Sequence, residues 1–309
     1  MSAAVSAGAL PPDDVWLRAL ARRTRTTPAI LRREALTGGY VSSAVERVDL
    51  DDGRSVVLKA ARPEEVAALR AVAVVVGVDR PRMLASGPDW LVQTHHPGPP
   101  APAQGPAPDE IWATLARVHA HWRRNRPRGV PVVDPAWWRR LCTTVLTALD
   151  GAALVEAAAT VRPWATDERV GRALTVLPRT LCHGDAHRGN VLLDPDGPVL
   201  IDWGNARVAP AGLDVAVLRA PDPSGPADAE PHPVPDAYTD TLAAGLAHGL
   251  GGADPPELVA VEREWGTFQA HLQYLGFAAD HQGPDRVHGM TTVAAAALDR
   301  LGPALSALG

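Results

Sequence analysis

Lysine is all but missing from this chain: of 30 basic side chains, one, Lys59, is lysine and the rest are arginine. A bias toward arginine explains the surface, but not one lysine kept inside the apolar run Val-Val-Leu-Lys-Ala. Lysine is a compact point charge on a slim stem, whereas arginine is a broad planar fork. A site that admits only a compact ammonium would keep it. Cysteine is scarce too. Two thiols, Cys142 and Cys182, in 309 residues make no disulfide framework, and their apolar surroundings suit small core residues. No run is long enough to cross a bilayer; the most apolar stretch, Ala67 to Val78, is short and broken by Arg70. The first residues lack the basic start and apolar core of a signal peptide, so a cytoplasmic location is expected. No internal repeat is visible. A net charge of -5 disfavours nucleic acid as a partner.

What is present is an ordinary globular composition, 46% hydrophobic and 21% charged, on a chain long enough for two lobes. Charge is unevenly spread: 23 acidic and 27 basic residues in 1–220, against 12 and 3 in 221–309. The acidic part is either a solvated surface or a region that attracts a cationic substrate.

One stretch, Leu181 to Asp202, packs His183, Asp185, His187, Asn190 and Asp202 into 22 residues. Two apolar runs, 191–193 and 199–201, flank the turn signal Asp194-Pro195-Asp196-Gly197-Pro198. A hairpin centred near Asp196 would set Asn190 and Asp202 side by side at its open end. An amide oxygen and a carboxylate there suit a hard cation such as Mg²⁺, with Asp185 in reach.

Upstream, one or two surface helices are expected over 12–36. Gly38-Gly39 opens a strand followed by the turn Asp51-Asp52-Gly53 and a second strand ending at Lys59. Backbone amides at Gly38 and Gly39, with Ser42 and Ser43, could cover phosphate groups. A helix starts at Pro63, with Glu64 and Glu65 in its first turn, and a carboxylate there could pair with Lys59. Residues 78–92 read as strand-turn-strand. The segment 95–108, rich in proline and glycine, cannot be a helix or a central strand and reads as a linker between lobes. Helices then dominate: 109–125, a segment from Asp134, 166–177, 236–250, 255–280 and 288–306, with Asp214 in an apolar neighbourhood over 206–218 and a proline-rich loop over 221–235.

The run His183-Gly184-Asp185-Ala186-His187-Arg188-Gly189-Asn190, followed by Ile201-Asp202-Trp203-Gly204, resembles the aminoglycoside phosphotransferase and choline kinase family, relatives of the eukaryotic protein kinases. The resemblance implies an α+β, protein-kinase-like two-lobe fold: a small β-rich nucleotide-binding lobe over 1–96 and a larger helical catalytic and substrate-binding lobe over 97–309. It implies that Asp185 is the catalytic base, that Asn190 and Asp202 hold Mg²⁺, and that Lys59 contacts the α- and β-phosphates of ATP, paired by Glu65. Gln93, Thr94 and His95 match the segment where adenine sits, with GTP the alternative donor. Asp214 supports the catalytic loop, and His183 braces it. The acceptor expected is a small molecule with a free hydroxyl, an antibiotic or a metabolite, met by a monomer or weak dimer. The segment holding Glu257, Glu262, Glu264, Trp265, His271, Tyr274 and Asp280 should face it, and Trp137, Trp138 and Trp265 could stack on it. The alternatives are a metabolic kinase for choline, homoserine or a sugar, a metal-dependent hydrolase built on His183-x-Asp185-x-His187, and a catalytically dead binding module.

Overall fold

The computed structural model describes residues 9–24, 26–36, 44–221, 229–247 and 254–309. Gly38, Gly39, Ser42 and Ser43 lie outside them. The chain begins with helix α1 (Asp13–Thr24), then strands β1 (Ile30–Ala35), β2 (Val45–Leu50) and β3 (Ser55–Ala60). Helix α2 (Pro63–Val72) follows, then β4 (Met83–Ser86) and β5 (Trp90–Thr94). The strands form one antiparallel sheet in the order β1-β2-β3-β5-β4. The helical expectation over 12–36 is therefore half corrected: the helix stops at Thr24 and Ile30–Ala35 is an edge strand. That strand is mostly exposed, so its sequence carries no inside–outside alternation to announce it. The β2–β3 turn forms as the sequence suggests, with Gly53 at a φ of 82° and the Asp52 carboxylate accepting from the Arg54 amide at 3.1 Å.

Strand β3 is central and buried from Val56 to Ala60. Trp16 and Leu20 of α1 join Val48, Val56, Leu58 and Val92 in one core. Leu69 and Val72 of α2 pack with Leu91 in another, which continues into the second half of the chain.

The linker is held down. The Pro99 carbonyl accepts from the Leu193 amide at 2.8 Å, and the Ala101 amide donates to the Val191 carbonyl at 2.7 Å. Its prolines thus sit where no strand donor is required. A Cβ on Gly98 would stand 2.3 Å from the Leu193 carbonyl oxygen, so only glycine fits this approach. The Asp194 carboxylate completes the joint, 2.8 Å from His96 Nδ1 and accepting from the Gly98 amide at 3.2 Å.

The second half is mostly helical: α3 (Asp109–Trp122), α4 (Pro135–Gly151), α5 (Val155–Val161), α6 (Glu168–Val176), α7 (Gly212–Arg219), α8 (Asp236–Ala247), α9 (Pro256–His281) and α10 (Pro284–Ala307). Short strands β6 (Thr180–Cys182) and β9 (Arg207–Ala209) pair together, as do β7 (Val191–Asp194) and β8 (Gly197–Leu200). The apolar stretch 206–218 divides between β9 and α7, and β6, β9 and α5 are not among the elements the sequence pattern predicts. Trp138, Trp164, Trp265 and Phe268 centre the helical core. Helices α7 and α9 touch backbone to backbone: a Cβ on Gly266 would lie 2.1 Å from the Gly212 carbonyl.

The charge asymmetry resolves into structure. Asp254 pairs with Arg123 and, at 3.5 Å, with Arg124. Glu262 lies 3.6 Å from Arg123, and Asp299 lies 3.0 Å from Arg169. Glu264 binds Arg263 and Arg300 at 3.0 and 2.8 Å. These acidic residues neutralise arginines, most of them earlier in the chain, instead of lining a surface for a cation.

Candidate active site

The β7–β8 hairpin turns on Pro195-Asp196, with Asp194 opposite Gly197 and Val191 opposite Leu200. The register is one residue short of expectation. Asn190 faces Ile201, whose amide donates to the Asn190 carbonyl at 2.8 Å. Asp202 lies one step further and is reached by a left-handed turn, φ 61° and ψ 68°, a conformation that carries a steric cost for any residue but glycine. That turn aims the carboxylate across the cleft at β3.

There it meets Lys59. Lys59 Nζ lies 2.9 Å from Asp202 Oδ1 and 2.7 Å from Glu65 Oε1, with the lysine 8% exposed. Burial opposes the ammonium, but Glu65 and then Asp202 outweigh it and hold its pKa above the ordinary value. Burial likewise opposes the Asp202 carboxylate, and Lys59 outweighs it and draws the pKa down. Glu65 is pulled both ways: burial pushes its carboxyl up against the attraction of Lys59. The 2.7 Å contact to a protonated amine identifies Glu65 as the anionic partner at neutral pH. One ammonium thus ties the sheet, α2 and the end of the hairpin together.

Asp185 sits in the loop after β6. Its Oδ1 accepts from the Tyr274 hydroxyl and its Oδ2 from Asn205 Nδ2 at 3.1 Å. His187 Nε2 stands 3.7 Å from Oδ1. Burial, then Asp185 itself, pushes the Tyr274 phenol well above its ordinary pKa, so it stays a donor. Asn190 Nδ2 donates to the Asp185 carbonyl at 2.9 Å. This turns the amide so that its Oδ1 has no partner among the described residues, and the Asp202 carboxylate stands beside it with Lys59 and the Gly204 amide as partners.

The loop is held from below. Asp214, 0% exposed at the start of α7, accepts from the His183 amide at 2.7 Å and the Gly184 amide at 2.8 Å. Its third contact is His119 Nε2 at 3.1 Å, and His119 Nδ1 meets the Tyr238 hydroxyl at 2.9 Å. Gly184 has a φ of 80°, and a Cβ there would lie 2.1 Å from the Asn205 carbonyl oxygen. His183 accepts from the Asp185 amide at Nδ1 and donates from Nε2 to the Ile201 carbonyl at 2.8 Å, with its ring edge-on to Trp203. With both nitrogens engaged, His183 cannot serve as the metal ligand that a hydrolase reading requires. His119, Cys182 and Asp214 also cluster, but burial and then Asp214 push the Cys182 thiol pKa well up. The thiol donates to backbone carbonyls, so the cluster is a hydrogen-bonded prop.

Gln93 is buried in β5 opposite Val57. Thr94 Oγ1 accepts from the Arg82 amide at 2.9 Å, and the His95 amide donates to the Ser55 carbonyl at 3.3 Å. The expected acceptor face divides. Tyr274 reaches Asp185. Trp265 does not: it is 0% exposed, packed on Trp138 and Phe268, with its indole N–H on Gln269. Trp138 is buried beside it and has no ring face free for stacking. Glu264 is buried and spent on two arginines. The His271 ring bonds the Thr267 carbonyl one helical turn back at 2.8 Å. Asp280 is exposed, about 9 Å along the axis from Tyr274. Glu257 is exposed at the start of α9. Three residues beside Asp185 were not anticipated: Asn205, Gln273, whose Nε2 donates to the Gly184 carbonyl at 2.7 Å, and Arg207. The one signal for Gln273 was its place next to Tyr274.

Residues 32–259 match the family model described as the phosphotransferase enzyme family. No match was found among curated protein sequences. Solved structures share the fold. A choline kinase from Cryptosporidium parvum superposes with a TM-score of 0.58 at 9% identity, covering 95% of both chains. A macrolide 2′-phosphotransferase from Brachybacterium faecium gives 0.52 at 19% identity, over 94% of this chain and 98% of that one. An aminoglycoside phosphotransferase from Alicyclobacillus acidocaldarius gives 0.52 at 19%, over 98% and 96%.

Proposed function

The chain belongs to the phosphotransferase enzyme family and is a small-molecule kinase, and on that premise we propose that it transfers the γ-phosphoryl group of ATP to a hydroxyl of a small-molecule acceptor. Residues 1–96 serve as the nucleotide lobe and 97–309 as the catalytic lobe. The observation that carries the reading is Lys59 Nζ held between Glu65 and Asp202 across the cleft, with Asp185 tied to Asn190 and Asn205 at the open end of the same hairpin.

In this reading Lys59 contacts the donor phosphates. Gly38, Gly39, Ser42 and Ser43 cover them, and 93–95 takes the base. Asp185 orients the acceptor hydroxyl and receives its proton as the new oxygen–phosphorus bond forms and ADP leaves. Tyr274 and Asn205 hold the Asp185 carboxylate in place. Asn190 Oδ1, without a partner among the described residues, and the Asp202 carboxylate fit the oxygen chemistry of Mg²⁺ and would hold it. When bound, the ion supplies neutralisation of phosphate charge.

An antibiotic is the first acceptor class to test, because related folds carry antibiotic phosphotransferase names. A metabolite kinase is the second reading. It is favoured by the spending of Asp254, Glu262 and Glu264 on arginines, which leaves them unavailable to a polycationic drug. The test is a panel of hydroxylated antibiotics and metabolites incubated with Mg-ATP and scored by a mass gain on the order of 80 Da, one phosphoryl group. Asp185→Asn should reduce turnover about 10²- to 10⁴-fold with ATP binding nearly intact. Retained turnover in that variant overturns the role of Asp185.

A further inference from the structure

Arg207 stands beside Asp185 and no part of the phosphoryl-transfer reading uses it. It lies on β9, two residues after Asn205, and is partly exposed. Its Nε donates to the Asn205 carbonyl at 2.9 Å and its Nη1 to Gln273 Oε1 at 2.9 Å. Its guanidinium carbon lies 5.1 Å from the ring centroid of Trp137, which is also partly exposed. Gly184, the residue before Asp185, is so close that a Cβ there would lie 2.8 Å from Arg207 Nε. Arg207 therefore packs against the loop bearing Asp185 and bonds to the helix bearing Tyr274.

What Arg207 lacks is an anion. Among the described residues no carboxylate comes within ion-pair distance, and its hydrogen-bond partners are a neutral carbonyl and a neutral amide oxygen. Arg123, Arg169 and Arg300 each have carboxylates. A guanidinium stays charged in a protein, and drawing it from water without a counter-charge is costly. The neutral partners and the indole face fix its orientation, and only the more distant Asp185 and Asp214 carboxylates offset its charge, with no direct ion pair among the described residues.

We propose that Arg207, seated on Trp137, is an acceptor subsite for an oxyanion, so that the acceptor carries a carboxylate or a comparable anionic group near the hydroxyl that is phosphorylated. This rests on Asp185 being the group that meets that hydroxyl. A ligand joining Asp185 to Arg207 places its hydroxyl on the base and its oxyanion on the free Nη2 edge of the fork, the geometry in which arginine binds carboxylate and phosphate. The same fixed cation disfavours an ammonium group at that position by like-charge repulsion.

The test is a library of hydroxylated compounds divided among carboxylate- or phosphate-bearing, neutral and ammonium-bearing members. Each is assayed with Mg-ATP on wild type, Arg207→Lys and Arg207→Met. Anionic acceptors should have the highest kcat/KM in wild type. For the best of them Arg207→Met should raise the acceptor KM about 10- to 100-fold, with Arg207→Lys in between and the ATP KM within about threefold. Carboxylate against phosphate members then separates the two anion sources. Efficient use of ammonium-bearing acceptors by wild type overturns this assignment and leaves the phosphotransferase reading standing. So does a uniform fall in kcat in Arg207→Met with acceptor KM unchanged, which would make Arg207 only a strut for Asn205 and Gln273. A library in which nothing gains a phosphoryl group overturns the phosphotransfer reading and this one with it.

Discussion

Asp214→Asn isolates what holds the catalytic loop. The wild-type carboxylate is fully buried and takes the His183 and Gly184 amides, one on each oxygen, as well as His119 Nε2. In asparagine one oxygen becomes an NH₂ group. Whichever way the amide is placed, one backbone N–H then faces a donor. A buried donor left without an acceptor costs about 1–3 kcal/mol, and losing the charge on the remaining contact about 1 kcal/mol more. The expected loss is about 2–4 kcal/mol, a large share of the roughly 5–15 kcal/mol that holds a typical domain together. Burial works to raise the Asp214 pKa, but His119, His183 and the Gly184 amide outweigh it and hold it below the usual carboxylate range. A depressed folded-state pKa contributes stability that is complete above the unfolded value and disappears as pH falls through the folded one. The deficit of the variant should therefore be full at neutral pH and shrink through the acid range. Urea unfolding of both proteins at a series of pH values reads this directly. A deficit below about 0.5 kcal/mol at neutral pH, or one that grows on acidification, refutes the reasoning.

Lys59→Arg keeps the charge but forces a wider head between Glu65 and Asp202; overpacking of about 1–3 kcal/mol should lower kcat/KM for ATP about 10- to 100-fold, measured by steady-state kinetics. Gly184→Ala puts a methyl 2.1 Å from the Asn205 carbonyl at a positive φ, so thermal unfolding should fall by several degrees and turnover should collapse with the displaced Asp185.

Much of the site was legible because its residues are close in sequence. Asp185, Asn190 and Asp202 belong to one loop and one hairpin, and Pro195 and Gly197 announced the turn. The register was not legible: the signal 194–198 admits centres half a residue apart, and only packing chose Pro195-Asp196. Lys59 stood out by rarity. The left-handed turn at Asp202 was not legible, since the lysine its carboxylate meets lies 143 residues earlier in the chain. The long helix α9 misled differently. It is buried on several sides, with Glu264, Trp265, Phe268, Gln269 and Leu272 all inside, so polarity and ring size could not separate residues facing Asp185 from residues facing the core. Arg207 was invisible because its setting is assembled from α4, α9 and the catalytic loop. The acidic excess of 221–309 reads either as a solvated surface or as a field for a ligand, and the sequence could not show that Asp254, Glu262 and Asp299 meet arginines more than a hundred residues away in the chain.

The single lysine also makes the protein a chemical instrument. An amine-directed acylating reagent finds only one ε-amine in the whole sequence. Acylation needs the free amine, and that amine is protonated and clasped by two carboxylates. Its modification rate, followed as one mass increment on one peptide, therefore counts how often Glu65 and Asp202 let go. Nucleotide in the cleft would change that count without any fluorophore, mutation or knowledge of the acceptor.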